Sequence, residues 1–126
     1  MKASPDDSRT TVENLKREIA SFVKARDWEM FHSPKDLGEA IAIEAAELLE
    51  HFLWKSPDQT RQYLRQGKSK KAVTREIADL FILLLNFADL YCVDITQAVK
   101  SKLRLLQKRY PVRKFRCRSE KYRPLY

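Results

Sequence analysis

The sequence predicts an all-α fold, a four-helix bundle with one short extra helix that is completed by oligomerisation. Only two of the 126 residues are glycine, and alanine, leucine, glutamate, lysine and arginine are frequent, which favours helices over sandwiches and barrels. Apolar residues also recur at helical spacing along several segments. With 44% hydrophobic residues, a chain of this length provides one domain with a substantial core.

The first predicted helix runs from Thr10 to about Arg26. Thr10 and Glu13 have the spacing of a capping box, and the apolar residues that follow recur every three or four positions. Residues 1–9 are polar and are predicted to be a flexible N-terminus. Residues 27–33 break the helical pattern but are rich in aromatic side chains, which indicates that other groups pack on them.

A second helix and a short polar helix are predicted next. Ser33 is a favourable N-cap and Pro34 suits the first helical position, so the second helix spans residues 34–53. The same start signal recurs at residues 55–58, and the short helix then spans residues 57–66 and ends at Gly67. Residues 68–71 are predicted to form a basic turn.

The third helix, predicted to extend to Tyr91, is apolar on nearly all sides between residues 80 and 85. A helix that is apolar on all sides is buried on all sides, and one neighbouring helix cannot cover it. A homodimer or homotetramer is therefore expected. Asp94 caps a fourth helix, residues 95–109, which Pro111 stops, so residues 10–111 are predicted to form the domain.

The positive charge is concentrated at the end of the chain. The net charge is +8, and residues 109–126 hold seven basic residues and one glutamate. Residues 112–126 are predicted to form a basic tail, which leaves open an alternative function as a non-enzymatic helical module that binds nucleic acid or protein through the tail. The longest apolar run is too short to cross a membrane, and Cys92 and Cys117 suggest reduced thiols, so a cytoplasmic protein is expected.

Two pairs of carboxylates carry the main chemical signal. Glu44 and Glu47 on the second helix, and Glu76 and Asp79 on the third, are each three residues apart and so project from one side of a helix. A single pair is usually an ordinary solvated helix face. Two charged pairs beside apolar stripes would be costly to desolvate, so the carboxylates either lose their charge or bind a cation. Oxygen ligands without histidine or cysteine favour Mg²⁺ or Mn²⁺, and magnesium commonly binds with substrate phosphates.

Basic and aromatic residues complete the candidate site. Lys102 lies on the apolar stripe of the fourth helix, where it either extends its ammonium group to solvent or binds a phosphate. Trp28, His32 and Trp54 flank the second helix and either fill space at its ends or form a slot for a nucleobase. A lone histidine such as His32 is more often a structural group than a catalyst.

At these positions the chain resembles the MazG-like all-α nucleoside triphosphate pyrophosphohydrolases, and most of all their dCTP pyrophosphatase branch. The resemblance covers residues 11–122. It rests on the motifs Arg26-Asp-Trp-Glu-x-Phe-His-x-Pro34, Glu44-x-x-Glu47-x-x-Glu50, Phe52-x-Trp-Lys55, Glu76-x-x-Asp79, Val93-Asp94, Ala98-Val-x-x-Lys102 and Arg109-Tyr-Pro111.

The resemblance implies an oligomeric, Mg²⁺-dependent hydrolase that splits a nucleoside triphosphate between its α- and β-phosphates into a monophosphate and pyrophosphate. Neither a membrane nor a nucleic-acid partner is expected. The resemblance matches Glu44, Glu47, Glu76 and Asp79 to metal ligands, Trp28 and Trp54 to aromatic groups of the base pocket, and Lys102 and Arg109 to basic groups near the phosphates. Glu47 or Glu50 is predicted to orient the attacking water. His32 and Lys55 are further substrate-binding candidates.

Three positions depart from the family pattern. Leu106 replaces a common asparagine, Leu83 replaces a tyrosine of the dCTP branch, and Ile19 replaces a histidine of the base pocket. A site built around a hydrogen bond discriminates more strongly than an apolar slot. The expected preference is therefore for dCTP or a modified relative, and it is weaker than in the dCTP branch.

Overall fold

The structure, a computed structural model, describes residues 4–119 and confirms the all-α prediction. Its six α-helices within these residues are α1 (Val12–Lys24), α2 (Pro34–Glu50), α3 (Pro57–Arg65), α4 (Gly67–Leu90), α5 (Ile95–Arg109) and α6 (Val112–Phe115). A 3₁₀ helix, Trp28–Phe31, lies between α1 and α2. No strand occurs within residues 4–119.

Helix α4 is the centre of the first of two compact units, which ends at Cys92. It packs against α1, α2 and α3. The most deeply buried hydrophobic side chains are Val23 on α1, Leu37 on α2 and, on α4, Val73, Leu85 and Ala88. The second unit begins at Val93 and contains α5 and α6.

Three predicted helix starts are confirmed by their caps. The side chains of Ser33, Ser56 and Asp94 accept hydrogen bonds from backbone N–H groups three residues later, which satisfies donors that the first helical turn leaves unpaired. At Ser56 the side chain of Gln59 also accepts from the Ser56 N–H and completes a capping box. Proline occupies the first turn of α2 and α3, where it removes no intrahelical bond.

Two predicted boundary signals are wrong. Thr11, not Thr10, caps α1, because its side chain accepts from the N–H of Asn14. Gly67 does not end α3; it is the first residue of α4, and residues 68–71 are helical. Gln66 has an extended backbone (φ −80°, ψ 126°), and this one residue redirects the chain without a left-handed glycine.

Helix α2 ends at Glu50, earlier than the predicted residue 53, and residues 51–54 continue as turns. Part of the predicted tail is also helical, since α6 lies within residues 112–126. Residues 1–3 and 120–126, which belong to the predicted flexible N-terminus and tail, lie outside the described residues.

Helix α4 is only partly covered within one chain. Four of its large apolar side chains are 44–51% exposed, namely Ile77, Phe81, Ile82 and Leu84. Helices α1, α2 and α3 thus leave an apolar strip on their central neighbour. Despite its apolar sequence, neither α4 nor another helix within residues 4–119 is long and apolar enough to cross a membrane.

Candidate metal centre

Packing of α2 against α4 brings carboxylates from both helices together. Glu44 and Glu47 of α2 and Glu76 of α4 each offer one oxygen, and these oxygens lie within 4.8 Å of one another. The spacing of three residues places Glu44 and Glu47 on one side of α2, as the sequence predicts. Three convergent carboxylates form a ligand set that suits a hard divalent cation.

Glu44 shows most clearly that this cluster suits a cation. Its Oε2 atom is buried, and it has no hydrogen-bond partner within residues 4–119. Burial raises the pKa of Glu44 above its ordinary value, and the negative charges of Glu47, Asp79 and Glu76 raise it further. A buried carboxylate oxygen without a partner is costly, and a cation among these groups would supply the missing partner.

Asp79, the fourth predicted ligand, does not converge with the other three carboxylates. It lies one turn after Glu76 on α4 and is exposed. It is outside the group of three converging oxygens, yet it is near enough for its charge to raise the pKa of Glu44. The structure therefore brings together three of the predicted ligands, with Asp79 as a nearby negative charge.

His51 and Tyr63 adjoin this cluster, and neither is predicted from the sequence as a site residue. His51 Nε2 lies 3.4 Å from Glu76 Oε1, and His51 Nδ1 lies 3.0 Å from the hydroxyl oxygen of Tyr63 on α3. The signal for His51 is its position seven residues after Glu44 and four after Glu47, which is the same face of a helix. Tyr63 has no comparable signal, since its place depends on the packing of α3.

A cavity of about 460 Å³ opens beside the carboxylates. Its lining residues are Glu47, Glu50, His51, Leu53, Lys55, Tyr63 and Glu76. The cavity thus joins two of the metal-ligand candidates to Glu50 and Lys55, which the sequence predicts as a catalytic and a substrate-binding residue. The Lys55 ammonium lies 4.9 Å from the centre of the Tyr63 ring, a cation–π distance.

The two predicted base-pocket tryptophans have different surroundings. Trp28 meets the Phe22 ring edge to face, with ring centres 5.8 Å apart, and the Arg26 guanidinium lies 3.7 Å from the centre of the Phe22 ring. Trp54 is 93% exposed and has a positive φ of 60°. Trp28 is therefore partly a packing residue, whereas the Trp54 ring is available to a ligand or a second subunit.

His32 is held by α4 and the residue that follows it. Its Nδ1 lies 2.9 Å from the side-chain nitrogen of Asn86, which is buried, and its carbonyl accepts a hydrogen bond of 2.8 Å from the Tyr91 hydroxyl. Because the amide nitrogen can only donate, Nδ1 is the acceptor and a neutral His32 carries its proton on Nε2. These contacts favour a structural role for His32. Its Nε2–H remains as the donor for the substrate contact that the sequence predicts.

The remaining candidate residues lie in both units. Lys102 and Arg109 are exposed on α5 in the second unit. Of the residues that depart from the family pattern, Ile19 and Leu83 are half-buried on α1 and α4 of the first unit, and Leu106 is half-buried on α5.

Comparisons with known proteins show which proteins this chain resembles. The profile of the MazG-like family matches residues 40–125. dCTP pyrophosphatase 1 of Rattus norvegicus is 38% identical over 115 residues, which are 91% of this chain and 68% of the rat protein. The Homo sapiens protein of the same name is 36% identical with the same coverage. A pyrophosphatase from Archaeoglobus fulgidus of known crystal structure is 35% identical in sequence and superimposes with a TM-score of 0.76. The match covers 86% of this chain and 99% of the Archaeoglobus chain.

Proposed function

This chain belongs to the MazG-like family and is a nucleoside triphosphate pyrophosphohydrolase, and we propose that it prefers a pyrimidine deoxynucleotide of the dCTP type. The products would be the nucleoside monophosphate and pyrophosphate. The observation that supports metal-assisted cleavage of a phosphoanhydride is the buried, unpaired Glu44 oxygen within a cluster of carboxylates, beside a cavity large enough for phosphate groups. The preference for dCTP rests on the relatives that bear that name.

The proposed cofactor is Mg²⁺, with Mn²⁺ as a substitute. Glu44, Glu47 and Glu76 would hold it, and Asp79 would add negative charge or a further ligand. Once bound, the ion supplies positive charge that offsets the charge of the phosphates and favours ionisation of water. Carboxylates without histidine or cysteine ligands suit these ions better than zinc.

The chain's own residues would orient the reactants. Glu47 or Glu50 at the cavity would accept a hydrogen bond from the attacking water and take its proton. The water oxygen forms a bond to the α-phosphorus, the bond to the bridging oxygen breaks, and pyrophosphate leaves with the electron pair. Lys55 at the cavity would offset charge on the phosphates. The resemblance to the family supports the same role for Lys102 and Arg109.

Base recognition would depend mainly on aromatic surfaces. Trp54 and Trp28 offer ring faces on which a base can stack, and stacking contributes about 1–3 kcal/mol whichever base is bound. Leu83 and Leu106 offer no hydrogen bond to a base edge. The preference for dCTP is therefore proposed to be weaker than in a site with polar groups at these positions. The proposed location is the cytoplasm, and the proposed assembly is a homodimer or homotetramer.

The direct test measures pyrophosphate release from the four deoxynucleoside and four ribonucleoside triphosphates, 5-methyl-dCTP and dUTP, with Mg²⁺ and with excess EDTA. We expect activity only with the metal and the highest kcat/KM for dCTP or its methyl derivative. Hydrolysis that persists in EDTA would contradict the metal assignment. A strong preference for a purine ribonucleotide would contradict the substrate assignment.

A matched pair of variants separates the site from general effects on the fold. Glu47→Gln removes a charge from the cluster, whereas Glu18→Gln removes a charge from an exposed position on α1. We expect a large loss of kcat only in Glu47→Gln, with both variants folded. Equal activity of the two variants would show that the carboxylate cluster is not the reaction centre.

A further inference from the structure

We propose that His51 and Tyr63 position the Glu76 carboxylate for cation binding, which makes α3 a supporting part of the metal centre. His51 lies directly after α2, Tyr63 is on α3 and Glu76 is on α4, so the contact joins three helices. This inference rests on the proposed metal-dependent function. It assigns His51 and Tyr63 as positioning residues, since the proposed ligands are carboxylates alone.

The direction of each hydrogen bond follows from the chemistry of the groups. An ionised Glu76 can only accept, so a neutral His51 donates from Nε2–H to Glu76 Oε1 across 3.4 Å. Nδ1 is then an acceptor, and the Tyr63 hydroxyl donates to it across 3.0 Å. Tyr63 therefore fixes the tautomer of His51 that can hold Glu76.

The contact between His51 and Glu76 is partly buried beside the cavity, since their side chains are 20% and 21% exposed. Tyr63 is itself held on several sides. Its ring meets Phe52 edge to face, with centres 6.3 Å apart, and the Lys55 ammonium lies 4.9 Å from its centre. These contacts restrict the tyrosine, and through it the imidazole and the carboxylate.

A fixed Glu76 has a specific benefit at this site. Its oxygen must stay close to those of Glu44 and Glu47 although the three charges repel one another. A hydrogen bond from His51 restricts rotation of the carboxylate and disperses part of its charge. Outer hydrogen bonds of this kind typically change metal affinity by about 10- to 100-fold when they are removed.

The experiment measures Mn²⁺ binding by titration calorimetry on the full chain without nucleotide. His51→Leu removes both imidazole nitrogens at similar volume, and we expect a dissociation constant about 10- to 100-fold higher. His51→Gln restores an N–H donor in reach of Glu76, and we expect most of the affinity to return. Tyr63→Phe keeps the ring but removes the hydroxyl, and we expect an intermediate loss.

Thermal unfolding without metal shows whether each variant is folded. Among folded variants, Mn²⁺ binding then distinguishes a positioning role of His51 from a packing role. If His51 only packs, the glutamine variant should bind Mn²⁺ no better than the leucine variant, and that result would overturn the proposal. If His51→Leu does not fold, Tyr63→Phe decides, since a dissociation constant equal to that of the wild type would also overturn it.

Glu44→Gln separates this proposal from the proposed function. Lost Mn²⁺ binding in Glu44→Gln with unchanged binding in His51→Leu would overturn the role of His51 and leave the metal centre intact. A wild-type protein that binds no Mn²⁺ would overturn both proposals.

Discussion

Glu44 combines the two physical features that define the candidate centre, burial and mutual repulsion of carboxylates. Its Oε2 is buried without a hydrogen-bond partner within residues 4–119, and three acidic neighbours raise its pKa in addition to the effect of burial. In the metal-free protein this residue is therefore destabilising when ionised. A cation at this cluster would supply the partner that the buried Glu44 oxygen lacks, which makes Glu44 a candidate functional residue.

The pH dependence of stability should reveal this residue. The pKa of Glu44 in the folded state lies above its ordinary value of 4.5, so between these two values the folded protein binds more protons than the unfolded chain. The contribution of Glu44 to stability is full below the lower value and is lost as the pH rises through the higher one. We therefore expect Glu44→Gln, measured by thermal unfolding in EDTA, to be more stable than the wild type at neutral pH.

The difference in melting temperature should shrink as the pH falls towards about 4, where the wild-type carboxyl is also neutral. Addition of Mg²⁺ should raise the melting temperature of the wild type more than that of the variant. A glutamine variant that is less stable than the wild type at every pH would contradict the unpaired state of Glu44.

Trp54 combines an exposed ring with a strained backbone. It is 93% exposed and has a φ of 60°, a conformation that costs a bulky residue about 1–2 kcal/mol relative to glycine. We expect Trp54→Gly to retain or increase the free energy of unfolding and to reduce kcat/KM for dCTP about 5- to 150-fold, the equivalent of one lost stacking contact.

Urea unfolding and steady-state kinetics would measure the two effects of Trp54→Gly. Trp54→Ala is the control, since it loses the ring but keeps a side chain at the strained position. Unchanged kcat/KM in both variants would argue against a base contact at Trp54.

At the scale of the helices, the N-terminal cap of α3 helps to place Tyr63 beside the candidate metal centre. The capping box of Ser56 and Gln59 fixes the start of α3, and Tyr63 two turns later meets His51. Ser56→Ala should lower the free energy of unfolding by about 1 kcal/mol, the usual value of an N-cap. Loss of the cap should also let the first turn of α3 fray in this variant. Because Tyr63 on α3 then holds His51 less firmly, we expect weaker Mn²⁺ binding than in the wild type.

Ser101→Ala is the matched control for Ser56→Ala, since Ser101 lies inside α5 and caps no helix. It should leave Mn²⁺ binding unchanged and slightly favour the helix. Denaturant unfolding and calorimetry would check both variants. Equal stability of Ser56→Ala and the wild type would show that the cap is not needed to hold α3.

Helix starts could be predicted from sequence because short-range chemistry determines them. Ser33-Pro34 and Asp94 place a cap and the first turn within a few residues, and no distant contact is needed. The carboxylate cluster was predictable for a related reason, since helical spacing places Glu44 and Glu47 on one face.

The features that the sequence did not predict depend on packing or on small backbone differences. The contact of Tyr63 with His51 requires α3 to pack against α4 near the residue that follows α2, which no local pattern specifies. Gly67 illustrates the second case, because glycine ends many helices but here follows an extended Gln66 that already redirects the chain. The positions of Thr10 and Thr11 differ by one residue, and both are favourable caps.

At the scale of the whole molecule, a single chain leaves large apolar side chains exposed to water. On α4, four apolar side chains are 44–51% exposed, namely Ile77, Phe81, Ile82 and Leu84; on α2, Ile43 and Leu49 are 58% and 66% exposed. Soluble single chains rarely expose large contiguous apolar patches, and such surface commonly marks a protein interface. The proposed homodimer or homotetramer would cover this surface with the same residues of a second copy.

Leu84→Glu tests the proposed assembly, because it places a charge on the apolar strip of α4. An interface here would have to desolvate the carboxylate, which costs several kcal/mol without a partner. We therefore expect light scattering to show a dimer or tetramer for the wild type at micromolar concentration and smaller species for the variant. Lys71→Glu, which changes an exposed charge near the start of α4, should leave the assembly intact. A wild-type monomer would contradict the proposed assembly, and equal dissociation of both variants would show that net charge, rather than apolar contact at Leu84, controls association.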